Sequence, residues 1–178
     1  GGRVGGGGGV QGGGRVGGGV RCRGLGGGGV GLFLGRGMDQ VAYYGLGPHE
    51  SYPDKHRASS HGRYTSSVAG LHVDYLKPQE NGSHHGCDYV VLSDGERSIA
   101  AVAETALSFN ASPYTQEELA AKAHNVDLVP AGETVGCLDY AQNGIGSNSC
   151  GPQVLEKYKL DAEEFRFAFT LVPATGVQ

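Results

Sequence analysis

Glycine crowds the start of this chain: of its 34 glycines, 21 fall within residues 1–37, accompanied by five arginines and no acidic residue. A tract like this has almost no side chain to bury and loses the most backbone entropy on ordering, so it is not expected to fold by itself. The sequence therefore divides at residue 37. Residues 1–37 read as a low-complexity segment, disordered or foreign to the true protein, and 38–178 as the folding unit. The competing reading of the tract is an arginine-glycine arm for RNA. Aromatic residues, which such surfaces use for stacking, are nearly absent from it, and this weighs against the arm.

Charge changes at the same boundary. Residues 38–178 hold nine Lys or Arg against 18 Asp or Glu, a balance of −9 that argues against nucleic acid and against anionic membrane as partners. A neutral sugar would not be repelled. No window approaches the roughly 20 apolar residues of a membrane span, and no apolar run of a secretory signal is present, so a cytoplasmic chain is expected. Cys22, Cys87, Cys137 and Cys150 form no CxxC pair and read as free thiols.

Short β-prone runs bounded by Gly, Pro and Asn dominate the rest. Strands are expected at 41–44, in two segments around Gly70 within 64–75, at 89–92 and 99–102 about an Asp94-Gly95 turn, at 134–140 and at 165–171. In the last run Phe165, Phe167, Phe169 and Leu171 share one face. One helix is expected: Thr115 as N-cap and Glu118 three residues on form a capping box. Many strands and a single short helix make a mostly-β sandwich.

Several clusters invite chemistry. His49, Glu50, Asp54, Lys55 and His56 crowd one loop, but their spacing matches no metal signature, and turn formation with surface charge explains them. His84-His85-Gly86-Cys87 places three soft ligands within four residues, with His49, His56, His61 or His124 available as a fourth. Adjacent histidines in a Ser-Gly loop are more often solvated, and no metal ligand is assigned. Glu50 and Glu80 are tempting carboxylates, yet a glycosidase needs its pair roughly 5–10 Å apart across the bond to be cut, which spacing in sequence does not establish. The stretch 138–152 begins as a strand and then turns at Asn143-Gly144, Gly146, Asn148 and Gly151-Pro152. It reads as an exposed binding rim that carries the Cys150 thiol.

The segment Asp139-Tyr140-Ala141-Gln142-Asn143-Gly144-Ile145-Gly146-Ser147-Asn148-Ser149-Cys150-Gly151-Pro152 closely resembles a loop in the C-terminal, small-chain domain of the large bacterial β-galactosidases of glycoside hydrolase family two. Three further stretches agree in the same order: Tyr43-Tyr44-Gly45-Leu46-Gly47-Pro48-His49-Glu50-Ser51-Tyr52-Pro53-Asp54, Tyr75-Leu76-Lys77-Pro78-Gln79-Glu80-Asn81-Gly82, and Phe109-Asn110-Ala111-Ser112-Pro113-Tyr114-Thr115. The resemblance spans about residues 30–173 and implies a fragment. It implies part of a β-supersandwich of the galactose mutarotase-like kind, closing over the mouth of a (β/α)8 barrel that holds both catalytic glutamates. No catalytic residue is therefore assigned to this chain. The loop 146–151 would reach the sugar, giving Asn148, Ser149 and Cys150 as substrate-binding candidates. Many relatives carry tryptophan where Cys150 stands, so this chain departs from that ring-stacking pattern. The resemblance also implies Mg2+ and Na+ at sites in absent domains, a galactoside substrate, the remaining enzyme domains as partners and a possible homo-oligomer. Two other readings stay open: a stand-alone carbohydrate-binding β-sandwich without hydrolytic activity, and a cysteine-dependent enzyme around Cys150, for which no activating histidine is visible.

Overall fold

The computed structural model describes residues 14–15, 28–146, 153–161 and 166–175. Its strands are β1 (Gly14–Arg15), β2 (Gly28–Leu34), β3 (Gln40–Gly47), β4 (Ser60–Ser67), β5 (His84–Ser93), β6 (Arg97–Ser112), β7 (Thr134–Ala141) and β8 (Phe169–Thr175). Among the described residues the only α-helix is α1 (Gln116–Ala121), whose N-cap Thr115 Oγ1 accepts from the Glu118 amide at 3.1 Å. The described residues are mostly β with one short α-helix, as the sequence predicts.

All ladders are antiparallel, and β6 is their spine. Along one edge it pairs with β5. Along the other its first part, 97–103, pairs with β8, and its last part, 108–112, with β7. The sheet order β1-β8-β6-β5-β3-β4 thus carries a fork, where β7 and then β2 extend it at the far end of β6. A fork requires a bend. Between the pairs Cys87↔Leu107 and Tyr89↔Val102, two steps along β5 oppose five along β6, so extra residues accumulate on β6 where it changes partner. Irregularities of this type bend a strand and sharpen its twist.

The core lies where β3, β5 and β6 cross. Tyr43, His84 and Phe109 come one from each strand, with ring centroids 4.5 Å apart for Tyr43 and His84 and 5.1 Å for each contact to Phe109. Leu107, Cys87, Val90, Leu138 and Phe169 complete the buried cluster. Full burial of side chains this size contributes roughly 1.5–3 kcal/mol each, which fixes the register of the strands that carry them.

Three expectations change. The run 64–75 is not two strands: β4 ends at Ser67 and a 3-10 turn, Ala69–Leu71, follows. The C-terminal strand begins at Phe169, not at 165, and extends through Pro173; Phe165 lies outside the described residues. The glycine tract contributes β2, whose residues pair with β7 from Gly28↔Ala141 to Leu34↔Thr134. Backbone hydrogen bonding needs no side chain, so a glycine-rich segment completes a sheet when a formed edge is offered to it.

Candidate functional site

Glu50 is the hub of the site. It follows β3 and the Gly47-Pro48 turn, and its side chain is only 6% exposed. Lys55 Nζ donates to it at 2.6 Å, the Gly82 amide at 2.9 Å, Tyr52 OH at 3.2 Å, and Tyr75 OH also donates to it. Burial opposes ionisation, but the hydrogen bonds from Lys55, Tyr75 and Gly82 outweigh it and hold the carboxyl below its usual range. A carboxylate so saturated is a structural anchor. A general acid needs the opposite environment, one that keeps its proton.

The hub orders the turn after it. Tyr52 and Lys55 exchange backbone hydrogen bonds at 2.9 and 3.0 Å, and Tyr52 is buried. Asp54 projects from this turn toward the loop that leaves β7. Its Oδ1 accepts from the Ile145 amide at 3.0 Å and its Oδ2 from the Gly146 amide at 2.7 Å. Gly144 lies so close that a Cβ there would stand 2.5 Å from Asp54 Oδ2, and Gly146 adopts φ +57°, a conformation L side chains rarely take. The loop base is also stitched to its returning limb, since the Gly144 amide donates to the Tyr158 carbonyl at 2.8 Å. A groove of about 390 Å³ opens beside this base, between Asp54, Lys55, Ile145, Gln153 and Tyr158. A larger one, about 870 Å³, begins at the same Asp54–Lys55 edge and is bordered by His49, His56 and Arg57.

A second tie reaches the loop from Ser83, the residue before β5. Ser83 Oγ donates to Gln142 Oε1 at 2.8 Å, and Gln142 Nε2 donates to Asp139 Oδ2 at 2.7 Å. Asp139 is buried, and its Oδ1 has no hydrogen-bond partner among the described residues. Burial pushes its carboxyl up to about 6 against the Gln142 hydrogen bond, with Glu80 adding to the rise. The alternation that would face Asp139 outward fails because β7 runs between β2 and β6 and is buried from Thr134 to Asp139.

The candidate metal ligands do not assemble. His84 stacks in the core, donates from Nδ1 to the Leu46 carbonyl at 3.3 Å in its neutral form, and is held down to about 4 by burial. Cys87 is buried and its thiol is pushed up to about 12, so it keeps its proton. His85 points elsewhere, with Nδ1 3.1 Å from Ser108 Oγ. Among the described residues no group of three or more His, Cys, Asp or Glu has the geometry to hold a metal ion. Cys87 and Cys137 are in no disulfide, and no helix among the described residues is long and apolar enough to cross a membrane.

The substrate-binding candidates Asn148, Ser149 and Cys150 lie outside the described residues; what the structure places is the base of their loop. Sequence reading missed Asp54 and Gln142 as the residues that hold this base, because neither carries a signature by itself. What unites the four recognisable motifs is now visible. Glu50 and Asp54 belong to the first, Gly82 to the second, and the amides held by Asp54 to the fourth. Asn110 of the third donates to the Asn81 carbonyl in the second.

Fold and site together define a β-sheet domain that braces the base of the loop after β7. The sequence profile described as "Beta galactosidase small chain" matches residues 23–171, and the chain belongs to this family. It is 43% identical over 144 residues to a β-galactosidase of Actinobacillus pleuropneumoniae, which covers 81% of this chain and 14% of that one. A β-galactosidase of Staphylococcus xylosus is 38% identical over 143 residues, and one of Kluyveromyces lactis 33% identical over 141, again covering 14% of each relative. The chain thus spans about one seventh of the length of these relatives.

Proposed function

We propose that this chain is the C-terminal piece of a β-galactosidase that hydrolyses terminal non-reducing β-D-galactose residues, lactose-type substrates included. The observation that carries the reading is the 43% identity to a protein of that name along nearly the whole folded part of the chain. The chain's role is to shape the mouth of the active site. The loop braced at Gly144, Ile145 and Gly146 faces the sugar, with Asn148 and Ser149 as hydrogen-bonding groups and Cys150 as a small polarizable contact. The acid/base and the nucleophile of a retaining mechanism, two carboxyl groups about 5–5.5 Å apart, come from the barrel of the complete enzyme. The saturation of Glu50 supports that division of labour, because a carboxylate with four donors has no free lone pair to offer a sugar.

The partners in this reading are the galactoside, the remaining enzyme domains and further copies in a homo-oligomer. Any Mg2+ or Na+ is held by those other domains, and no step of the reading passes through a metal on this chain. Cysteines outside any disulfide at positions 87 and 137 suit a reducing, cytoplasmic setting. The purified 178-residue chain, assayed with a chromogenic β-galactoside, is expected to show no turnover. Turnover that persists after removal of host enzyme, and disappears in Glu50→Gln or Glu80→Gln, would return catalysis to this chain.

A further inference from the structure

Resting on the proposed sugar-facing loop, we infer that Asp54 is a positioning residue for substrate binding, acting through the backbone of that loop. Three features converge on it. Both of its carboxylate oxygens are engaged by consecutive amides, Ile145 at 3.0 Å and Gly146 at 2.7 Å. The residue before them, Gly144, leaves no space for a side chain against the carboxylate. Asp54 is itself held from behind, because it sits in the Tyr52–Lys55 turn whose flanking side chains both bind Glu50.

A continuous mechanical link follows. The Gly82 amide and Tyr75 fix Glu50, Glu50 fixes the turn through Tyr52 and Lys55, and the turn delivers Asp54 to the loop base. A charged acceptor bound to two successive amides fixes the direction in which the backbone leaves, a constraint that one neutral hydrogen bond does not supply. On the proposed reading the substrate contacts follow this base in sequence, so their geometry depends on the Asp54 carboxylate, and misplacement by about 1 Å is enough to weaken binding geometry substantially.

The test compares Asp54→Ala and Asp54→Asn by two readouts. In the 178-residue chain, amide hydrogen exchange at Ile145 and Gly146 is expected to rise at least tenfold in Asp54→Ala, while sheet amides such as Val90 and Phe109 keep their protection. Asp54→Asn retains one acceptor oxygen and is expected to fall between; it also serves if the alanine variant fails to fold. In a complete enzyme carrying this sequence, Asp54→Ala is expected to raise KM for lactose several-fold with a smaller change in kcat, and Asp54→Asn to restore part of it. Unchanged exchange at Ile145 and Gly146 would overturn the positioning role alone. Raised exchange with KM unmoved, for lactose and for a nitrophenyl galactoside alike, would overturn the role together with the reading that this loop borders the sugar.

Discussion

The Asp54 carboxylate and the Gly146 amide, 92 residues apart in the chain, meet at 2.7 Å, and Gly144 packs against the same carboxylate with no space for a methyl group. Gly144→Ala should therefore destabilise the chain by about 1–3 kcal/mol, the usual cost of forcing atoms into a filled site. Because the clash is with Asp54, the cost should shrink in an Asp54→Ala background. A double-mutant cycle by urea denaturation measures this directly. Strict additivity would mean that the two residues do not share the contact.

Glu50→Gln should cost about 2–3 kcal/mol, since an amide in place of the carboxylate turns a donor toward groups that themselves donate. Lys55→Met should cost less than about 1 kcal/mol, because the Lys55 side chain is half exposed and a solvated ion pair contributes little. Equilibrium unfolding of both variants separates a buried hub from a surface salt bridge. Equal losses would place the weight of the hub on the ion pair and not on the Gly82 and Tyr52 hydrogen bonds.

Two buried groups should cancel in the pH dependence of stability. His84 is lowered from 6.5 to about 4 by burial, so the unfolded chain takes up a proton that the folded one refuses; stability present above 6.5 is lost as pH falls toward 4. Half-buried His85 shifts the same way. Asp139 is raised from 3.8 to about 6, so its stabilisation is full below 3.8 and is lost as pH rises through 6. Between about 4 and 6 the Asp139 slope should offset that of His84, leaving the parent chain with only the residual rise from His85. Asp139→Asn should expose the histidine slope, up to about 1.4 kcal/mol per pH unit for one proton. Parallel pH profiles for parent and variant, from urea midpoints, would show that Asp139 does not titrate there.

Cys150→Trp, in a complete enzyme, should restore an aromatic face beside the sugar and lower KM for lactose, with stacking worth about 0.5–1.5 kcal/mol when the ring fits. The effect on kcat should be smaller, because stacking acts on substrate and transition state alike. Steady-state kinetics on lactose and on a small aryl galactoside would show it; KM unmoved for both would return Cys150 to a structural thiol.

Sequence made the helix legible because the Thr115–Glu118 cap is a local device, complete within four residues. It also made β7 legible, since the expected 134–140 differs from Thr134–Ala141 by one residue. It shortened β6 to 99–102, because Ala103, Glu104, Thr105 and Ala106 show no alternation at the irregularity where the strand changes partner. It caught only residues 64–67 of β4, whose mostly polar sequence and half-exposed pattern suit a sheet edge and offer little apolar signal. The last strand runs past the expected end at 171, through Pro173 to Thr175. Pro173 pairs with Ile99 of β6 on one side, while on the other the described residues of β1 reach only Thr170 and Leu171, so no described ladder on that side demands its missing N–H. At the site, motif likeness located the loop, but Asp54, Gln142 and the Glu50 hub emerged only when distant segments were brought together.

The meeting of four motifs on one hub changes what survival of those motifs would mean in a decaying or rearranged gene. Glu50, Asn81, Asn110 and Gly144 would remain under selection for as long as the sheet had to hold its shape, whether or not a reactive centre was still attached. In such a gene the persistence of these residues would record the upkeep of architecture, and turnover would leave its record elsewhere.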